Sequence, residues 1–185
     1  MVDKILAFFS ALPRELYIFV ISMLPIVELR GAVPIGAYLG VPFYLNFILA
    51  VLGNMLPVPF ILLFIPKILT FLERFKIFRP MVRWLRGKAD KHSAKVIVEE
   101  EKRDAAEGDE PSKARVMTPA IFIALMMFVA LPIPTTGAWT GSLIAALFNL
   151  PFKKSLLAVF LGVLICGTIM TLASYGILGF LSFLA

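Results

Sequence analysis

The chain has very few of the residues from which most active sites are built. It contains one cysteine and one histidine, and no acidic residue follows Glu110. A single cysteine excludes an intramolecular disulfide and a cysteine metal cluster. Because no Ser–His–Asp set and no metal-ligand spacing occurs, hydrolytic and metal-dependent catalysis have no support. We therefore expect a protein that is not an enzyme and holds no metal or cofactor.

Charge is also missing from three long stretches of the sequence. The segments 31–66, 116–152 and 155–185 contain no Asp, Glu, Lys or Arg. Each is longer than the ~20 residues that a membrane-spanning helix needs. The 185 residues are 60% hydrophobic, and their mean hydropathy is +0.92. These features predict an all-α integral membrane protein that crosses the cell (plasma) membrane more than once.

The two apolar halves of the chain repeat each other. Three dipeptides (Gly-Ala, Pro-Phe and Leu-Gly) recur in the same order, at 31–32, 42–43 and 52–53 and again at 137–138, 151–152 and 161–162. Each unit has the pattern of an apolar helix, a Gly/Pro-rich break, a short helix and a long helix. Broken helices arranged in this way are typical of inverted repeats in transporters. The pattern predicts a repeat of two units. Because the positive-inside rule places both the Lys67–Lys95 flank and Lys153–Lys154 in the cytoplasm, the two units are predicted to be inverted.

The first part of each unit is too short for separate spanning helices. Leu16 to Val27 gives about 18 Å of helix, which is less than the ~30 Å of the hydrocarbon core. We therefore predict that each unit begins with a re-entrant hairpin. The predicted tips are the breaks at Glu28–Pro34 and Pro132–Gly137. One kinked spanning helix over residues 16–39 is the alternative for the first hairpin.

These elements divide the chain into three parts, of which the middle one is a charged connector. Thirteen of the eighteen basic residues lie in 67–115, so the positive-inside rule predicts a cytoplasmic connector. The same rule explains the net charge of +6 without nucleic-acid binding. The predicted parts are a first repeat over 1–66 (hairpin about 14–41, transmembrane helix about 43–66), the connector over 67–115 (basic amphipathic helix about 68–95) and a second repeat over 116–185 (hairpin about 118–150, transmembrane helix about 155–175).

The connector helix carries a basic face. Aromatic and aliphatic residues recur at helical spacing on its other side, which is the pattern of a helix lying on a membrane surface. Anionic lipid headgroups are therefore expected partners of this face. A positive flank that recognises no lipid is the alternative. The basic face consists of Lys76, Arg79, Arg83 and Arg86.

Two charged residues lie inside the first apolar half. Glu28 and Arg30 are the only charges between Glu15 and Lys67, and each costs roughly 2.5–3.5 kcal/mol at the bilayer centre. We predict that Glu28 is the coupling carboxylate for protons or monovalent cations. Arg30 would be its electrostatic partner or an anion contact. A structural pair that holds the hairpin tip to the other repeat is the alternative.

The small and polar residues of both hairpins supply the substrate-binding candidates. Glycine allows close backbone approach, proline leaves carbonyl groups unpaired, and threonine offers a hydroxyl group. Such residues also serve ordinary helix packing in membranes. We assign Asn46 and Asn54 to hydrogen-bonded packing. The candidates are Gly31, Pro34, Pro132, Pro134, Thr135, Thr136, Gly137, Trp139 and Thr140.

Two motifs resemble a known family. Glu-Leu-Arg-Gly-Ala-Val-Pro at 28–34 and Leu-Pro-Ile-Pro-Thr-Thr-Gly-Ala-Trp-Thr-Gly at 131–141 are similar to the prokaryotic small multi-drug export protein family, which implies export of small molecules. More distantly, the layout resembles the DedA/VTT superfamily, which implies paired re-entrant hairpins and movement of lipids or lipid-carrier phosphates. That resemblance implies that an acidic residue and an arginine in the hairpins are the functional residues, and Glu28 and Arg30 match them. The second hairpin lacks the arginine that the DedA pattern places there.

Three functions fit these observations. The first is a small ion-coupled exporter whose site lies where the hairpin tips meet. The second is a DedA-like lipid translocase, either a flippase or a scramblase, which dithionite quenching of labelled lipids would detect without a soluble gradient. The third is a membrane scaffold without transport. We expect a homodimer, because one copy has few helices with which to enclose a pathway.

Overall fold

A computed structural model describes residues 13–72, 117–133 and 136–184. The described residues form α-helices and no strand, which confirms the all-α prediction. The basic face predicted for the connector lies outside the described residues, as do Pro134 and Thr135. The helices are α1 (Arg14–Ser22), α2 (Glu28–Tyr38), α3 (Phe43–Met55), α4 (Pro57–Leu72), α5 (Pro119–Ala130), α6 (Ala138–Leu147) and α7 (Phe152–Leu184).

The chain reverses direction between α1 and α2. Arg14, the first residue of α1, donates a 2.9 Å hydrogen bond from Nη1 to the Leu39 carbonyl oxygen, just after α2. The beginning of α1 and the end of α2 therefore lie together. The segment 16–39 folds as two helices joined by a turn, and not as one kinked helix.

The turn of this first hairpin comes earlier than the sequence predicts. α1 ends at Ser22, because Pro25 disfavours helical backbone at Leu24 and has no N–H to donate. The turn covers 23–27, and α2 starts at Glu28. The predicted break over 28–34 is wrong, since Pro34 lies inside α2. Pro34 removes one hydrogen bond from the helix without ending it.

Among the described residues, two helical stretches are long and apolar enough to cross a membrane. Phe43–Leu69 has 27 residues and a mean hydropathy of 2.4, and Phe152–Ile177 has 26 residues and a mean hydropathy of 2.5. The first stretch is interrupted at Leu56, between α3 and α4. Leu56 itself keeps helical angles, with φ −59° and ψ −45°. The interruption comes from Pro57 and Pro59, which have no N–H with which to continue the helix. The helices continue beyond the predicted ends at 66 and 175.

Helices α3 and α7 run in opposite directions. Phe43, which begins α3, lies beside Tyr175, with 6.4 Å between their ring centroids. One turn further along α3, Phe47 lies 2.9 Å from where a Cβ on Gly167 would be. Because the α7 residue number falls as the α3 number rises, the two helices are antiparallel. Asn46 fixes this packing, since its Nδ2 donates to the Tyr175 hydroxyl at 3.0 Å.

The repeated Leu-Gly dipeptides mark equivalent contacts in the two halves. Gly53 of α3 packs against the backbone of Phe19 in α1, and Gly162 of α7 packs against the backbone of Met126 in α5. At both positions a Cβ would collide with a backbone oxygen of the neighbouring helix. Each long helix therefore packs closely on the first helix of its own half, at the glycine of the repeated dipeptide.

The second helix of each hairpin packs against a long helix of the other half. Helix α2 contacts α7, and α6 contacts α4, the continuation of α3. The halves are thus interleaved and not side by side. This exchange brings the turn of the first hairpin against the break of the second.

Candidate functional site

The two hairpins are joined where α2 and α6 begin. The Trp139 indole Nε1, in the first turn of α6, donates a 3.1 Å hydrogen bond to the Met23 carbonyl oxygen at the end of α1. Conversely, the side chains of Glu28 and Arg30 in α2 contact the second hairpin. Each hairpin therefore supplies polar groups to the other one's helix ends.

Glu28 occupies the N-terminus of α6. Its Oε1 accepts a hydrogen bond of 3.3 Å from the Trp139 backbone N–H, and the residue is only 6% exposed. The unpaired N–H groups at a helix start carry partial positive charge and favour a carboxylate. Gly137 directly precedes α6, and a Cβ at this position would overlap the Glu28 carboxylate. Glycine thus leaves the space that the carboxylate fills.

The backbone of Glu28 has an unusual conformation. Its φ angle of 51° lies in the left-handed region, which costs a non-glycine residue roughly 1–2 kcal/mol. On a regular helix, side chains two residues apart point to different faces. Here the left-handed residue at the start of α2 allows a pair, and Arg30 Nη1 lies 3.5 Å from Glu28 Oε2. The predicted ion pair is therefore present.

Arg30 occupies the C-terminal end of α5. Its Nη2 donates to the carbonyl oxygens of Val129 and Leu131, at 3.2 and 2.7 Å, and to the Thr136 hydroxyl at 3.2 Å. The last carbonyl groups of a helix have no partner within it and carry partial negative charge. Arg30 therefore stabilises the end of α5, while Glu28 stabilises the start of α6.

A small cavity lies at this junction. Glu28 and Arg30 line it together with Asn54 from α3 and Cys166 from α7. Sequence reasoning missed both, because it assigned Asn54 to packing and treated Cys166 only as a lone cysteine. Only the antiparallel packing of α3 and α7 brings them beside the pair. Within the described ranges, no three His, Cys, Asp or Glu side chains are close enough to hold a metal ion.

A family model matches most of the chain. The family described as "Putative small multi-drug export protein" matches residues 28–169, which is more than half of the chain. The chain belongs to this family. The match confirms the resemblance of the two motifs, and no curated protein or solved structure was found to match. Membership in an export family, together with two long apolar helices, identifies the chain as a membrane protein of the transporter type.

In this member of the export family, the predicted site residues fall into two groups. Glu28, Arg30, Thr136, Gly137 and Trp139 meet at the junction of the hairpins. Of these five, Glu28, Arg30 and Gly137 line the cavity, whereas Thr136 and Trp139 contact the pair from outside its lining. The other described candidates do not line the cavity, and Pro134 and Thr135 lie outside the described residues. These other candidates are Gly31 and Pro34 in α2, Thr140 in α6 and the exposed Pro132.

Proposed function

We propose that the protein is a small ion-coupled exporter whose substrate site opens where the two hairpins meet. The position of Glu28 carries this proposal. It is a buried carboxylate that joins the two hairpins through Arg30 and the start of α6. Glycine or asparagine would tolerate its left-handed backbone at lower cost. The presence of glutamate at this position supports a role for its ionisable group.

Protonation of Glu28 would loosen the junction. The charged carboxylate is attracted by the Arg30 guanidinium and by the positive end of α6. A protonated acid loses both attractions, so the two hairpins can separate at this point and admit a substrate. Loss of the proton restores the contact. In this mechanism a proton gradient drives the cycle through one residue, and a monovalent cation competing for the carboxylate would act in the same way.

The substitution Glu28→Gln tests this function. Glutamine keeps the shape and an acceptor oxygen but cannot bind a proton, so we expect gradient-driven transport to fall to background. The assay is movement of ethidium and tetraphenylphosphonium into proteoliposomes under an imposed pH gradient. The matched control is Glu15→Gln, because Glu15 is exposed on α1, and it should transport like the wild type. Wild-type rates in Glu28→Gln, or no gradient-driven movement of either probe by the wild type, would contradict the proposal.

A second candidate is a membrane scaffold without transport. The hydrogen bonds from Arg30 to the Val129 and Leu131 carbonyl oxygens favour it, because they give the charged pair a purely structural task. The scaffold and the exporter predict different effects of the Glu28→Gln substitution. In a scaffold, Glu28→Gln lowers stability or retention of partner proteins, and no variant changes a flux.

We also infer that the halves form an inverted repeat of re-entrant hairpins in the plasma membrane, with the connector in the cytoplasm. The antiparallel long helices and the equivalent contacts of Gly53 and Gly162 support this arrangement. In this orientation the exposed Lys153 faces the cytoplasm and the exposed Arg14 faces outward.

Labelling of single cysteines tests the orientation. In a Cys166→Ser background, an impermeant maleimide added to intact cells should label Arg14→Cys and not Lys153→Cys. Permeabilised cells should show labelling of both variants. Labelling of Lys153→Cys in intact cells would show that the orientation is reversed.

A further inference from the structure

Two buried polar atoms at the cavity lack a hydrogen-bond partner among the described residues. They are the Nε of Arg30, which is a donor, and the Oδ1 of Asn54, which is an acceptor. Both residues line the cavity, and Asn54 is only 3% exposed. Folded proteins pair nearly all such groups, with protein atoms or with ordered water. These two atoms therefore point to a bound molecule that both donates and accepts hydrogen bonds.

The size and chemistry of the cavity identify that molecule. The space open to the centre of a water molecule is about 10 Å³, which is close to what one bound water needs, so a single water fits it. A buried water typically makes about three hydrogen bonds, and three protein groups are present: Arg30 Nε, Asn54 Oδ1 and the Glu28 carboxylate. Glu28 Oε1 accepts a hydrogen bond from the Trp139 N–H and Oε2 accepts one from Arg30, and a carboxylate with about four lone-pair sites has room for a further donor.

We propose that Asn54 is a further residue of this site and that, with Arg30, it binds one water molecule beside the Glu28 carboxylate. The water accepts a hydrogen bond from Arg30 Nε–H and donates its two hydrogens to Asn54 Oδ1 and to Glu28. If the protein is the proton-coupled exporter proposed above, this water is the group that exchanges a proton with Glu28. The water site itself does not depend on that function.

Radiolytic footprinting tests the site without a transport assay. X-rays split bound water into hydroxyl radicals, which oxidise the side chains next to it. Cys166 lines the cavity, while Met117 is an equally buried sulfur residue outside its lining, and each is 3% exposed. After correction for the rates of the unfolded protein, we expect Cys166 to be oxidised several-fold faster than Met117 in the reconstituted wild type.

The variant Asn54→Leu completes the test. Leucine has a similar volume but no acceptor for the water, so oxidation of Cys166 should fall to the rate of Met117. Equal oxidation of Cys166 and Met117 in the wild type would overturn the proposal, and this comparison needs no variant. Fast oxidation of Cys166 that persists in Asn54→Leu would also overturn it, because Asn54 would then not hold the water. Neither result depends on whether any substrate is transported.

Discussion

Replacing Arg30 with glutamine is expected to destabilise the protein by about 3–5 kcal/mol, the usual cost of removing one partner of a buried ion pair. The substitution leaves the buried Glu28 carboxylate without its cationic partner. It also removes a donor from the Val129 and Leu131 carbonyl oxygens at the end of α5, although Leu131 keeps the Ile133 N–H and the Thr136 hydroxyl as donors. The measurement is thermal unfolding of the purified protein in detergent. We expect a large fall in the midpoint, or loss of monodisperse protein.

Two further variants make this prediction specific. Arg14→Gln is the matched control, because Arg14 also donates to a carbonyl oxygen after a helix but is exposed; its cost should stay within about 1 kcal/mol. The double variant Glu28→Gln/Arg30→Gln should be more stable than Arg30→Gln alone, since no unpaired charge remains buried. Additive losses in the double variant would show that the two residues do not act as a pair.

The pair also explains an asymmetry of the sequence. The first hairpin carries Glu28 and Arg30, whereas the second carries no charged residue from 118 to 150. In the structure both charges lie against the second hairpin, at the start of α6 and at the end of α5. A break in a helix leaves N–H and C=O groups unpaired on its two sides. One acid and one base from the other repeat satisfy some of these groups, so the second hairpin needs no charge of its own.

Much of the local structure could be predicted from the sequence. Helix-breaking residues and apolar length predict α5, α6 and the two long helices to within a few residues, apart from their far ends. The sequence misplaces the first turn, because Gly31 and Pro34 have the pattern of a break, whereas Pro25 is the residue that ends α1. Pro25 follows the end of α1, whereas Pro34 lies inside α2. Composition alone does not show which of these two prolines ends a helix.

The site could be predicted only in part, because it depends on contacts between the halves. Glu28 and Arg30 stand out as costly charges in an apolar stretch, so a search of the sequence finds them. Asn54 and Cys166 have no such signal, since an asparagine that hydrogen-bonds between helices and a small buried cysteine both fit ordinary helix packing. Their place beside the pair follows from the antiparallel contact of α3 with α7, which no spacing along the chain encodes. Gly137 leaves room for the carboxylate of Glu28, which lies 109 positions earlier in the chain. This contact also follows from the fold and not from the sequence around Gly137.

Gly137→Ala is expected to displace the Glu28 carboxylate from the start of α6. An added Cβ would overlap both carboxylate oxygens, and the acid is held by the Trp139 N–H and by Arg30. The backbone of Gly137 is extended, with φ −139°, so alanine can adopt it and the effect comes from the contact alone. Overpacking typically costs about 1–3 kcal/mol, and loss of a hydrogen bond to a charged group costs about 1.5–3 kcal/mol.

A double-variant comparison separates this clash from a general effect of alanine. Gly176→Ala is the control, because a Cβ there meets no atom within 4 Å, and it should unfold no earlier than the wild type. In a Glu28→Ala background the carboxylate is gone, so adding Gly137→Ala should cost almost nothing further. If position 137 instead needs glycine for its backbone conformation, Gly137→Ala will destabilise the wild type and the Glu28→Ala variant equally. In the exporter, Gly137→Ala should also lose gradient-driven transport, because it moves the one carboxylate on which coupling depends.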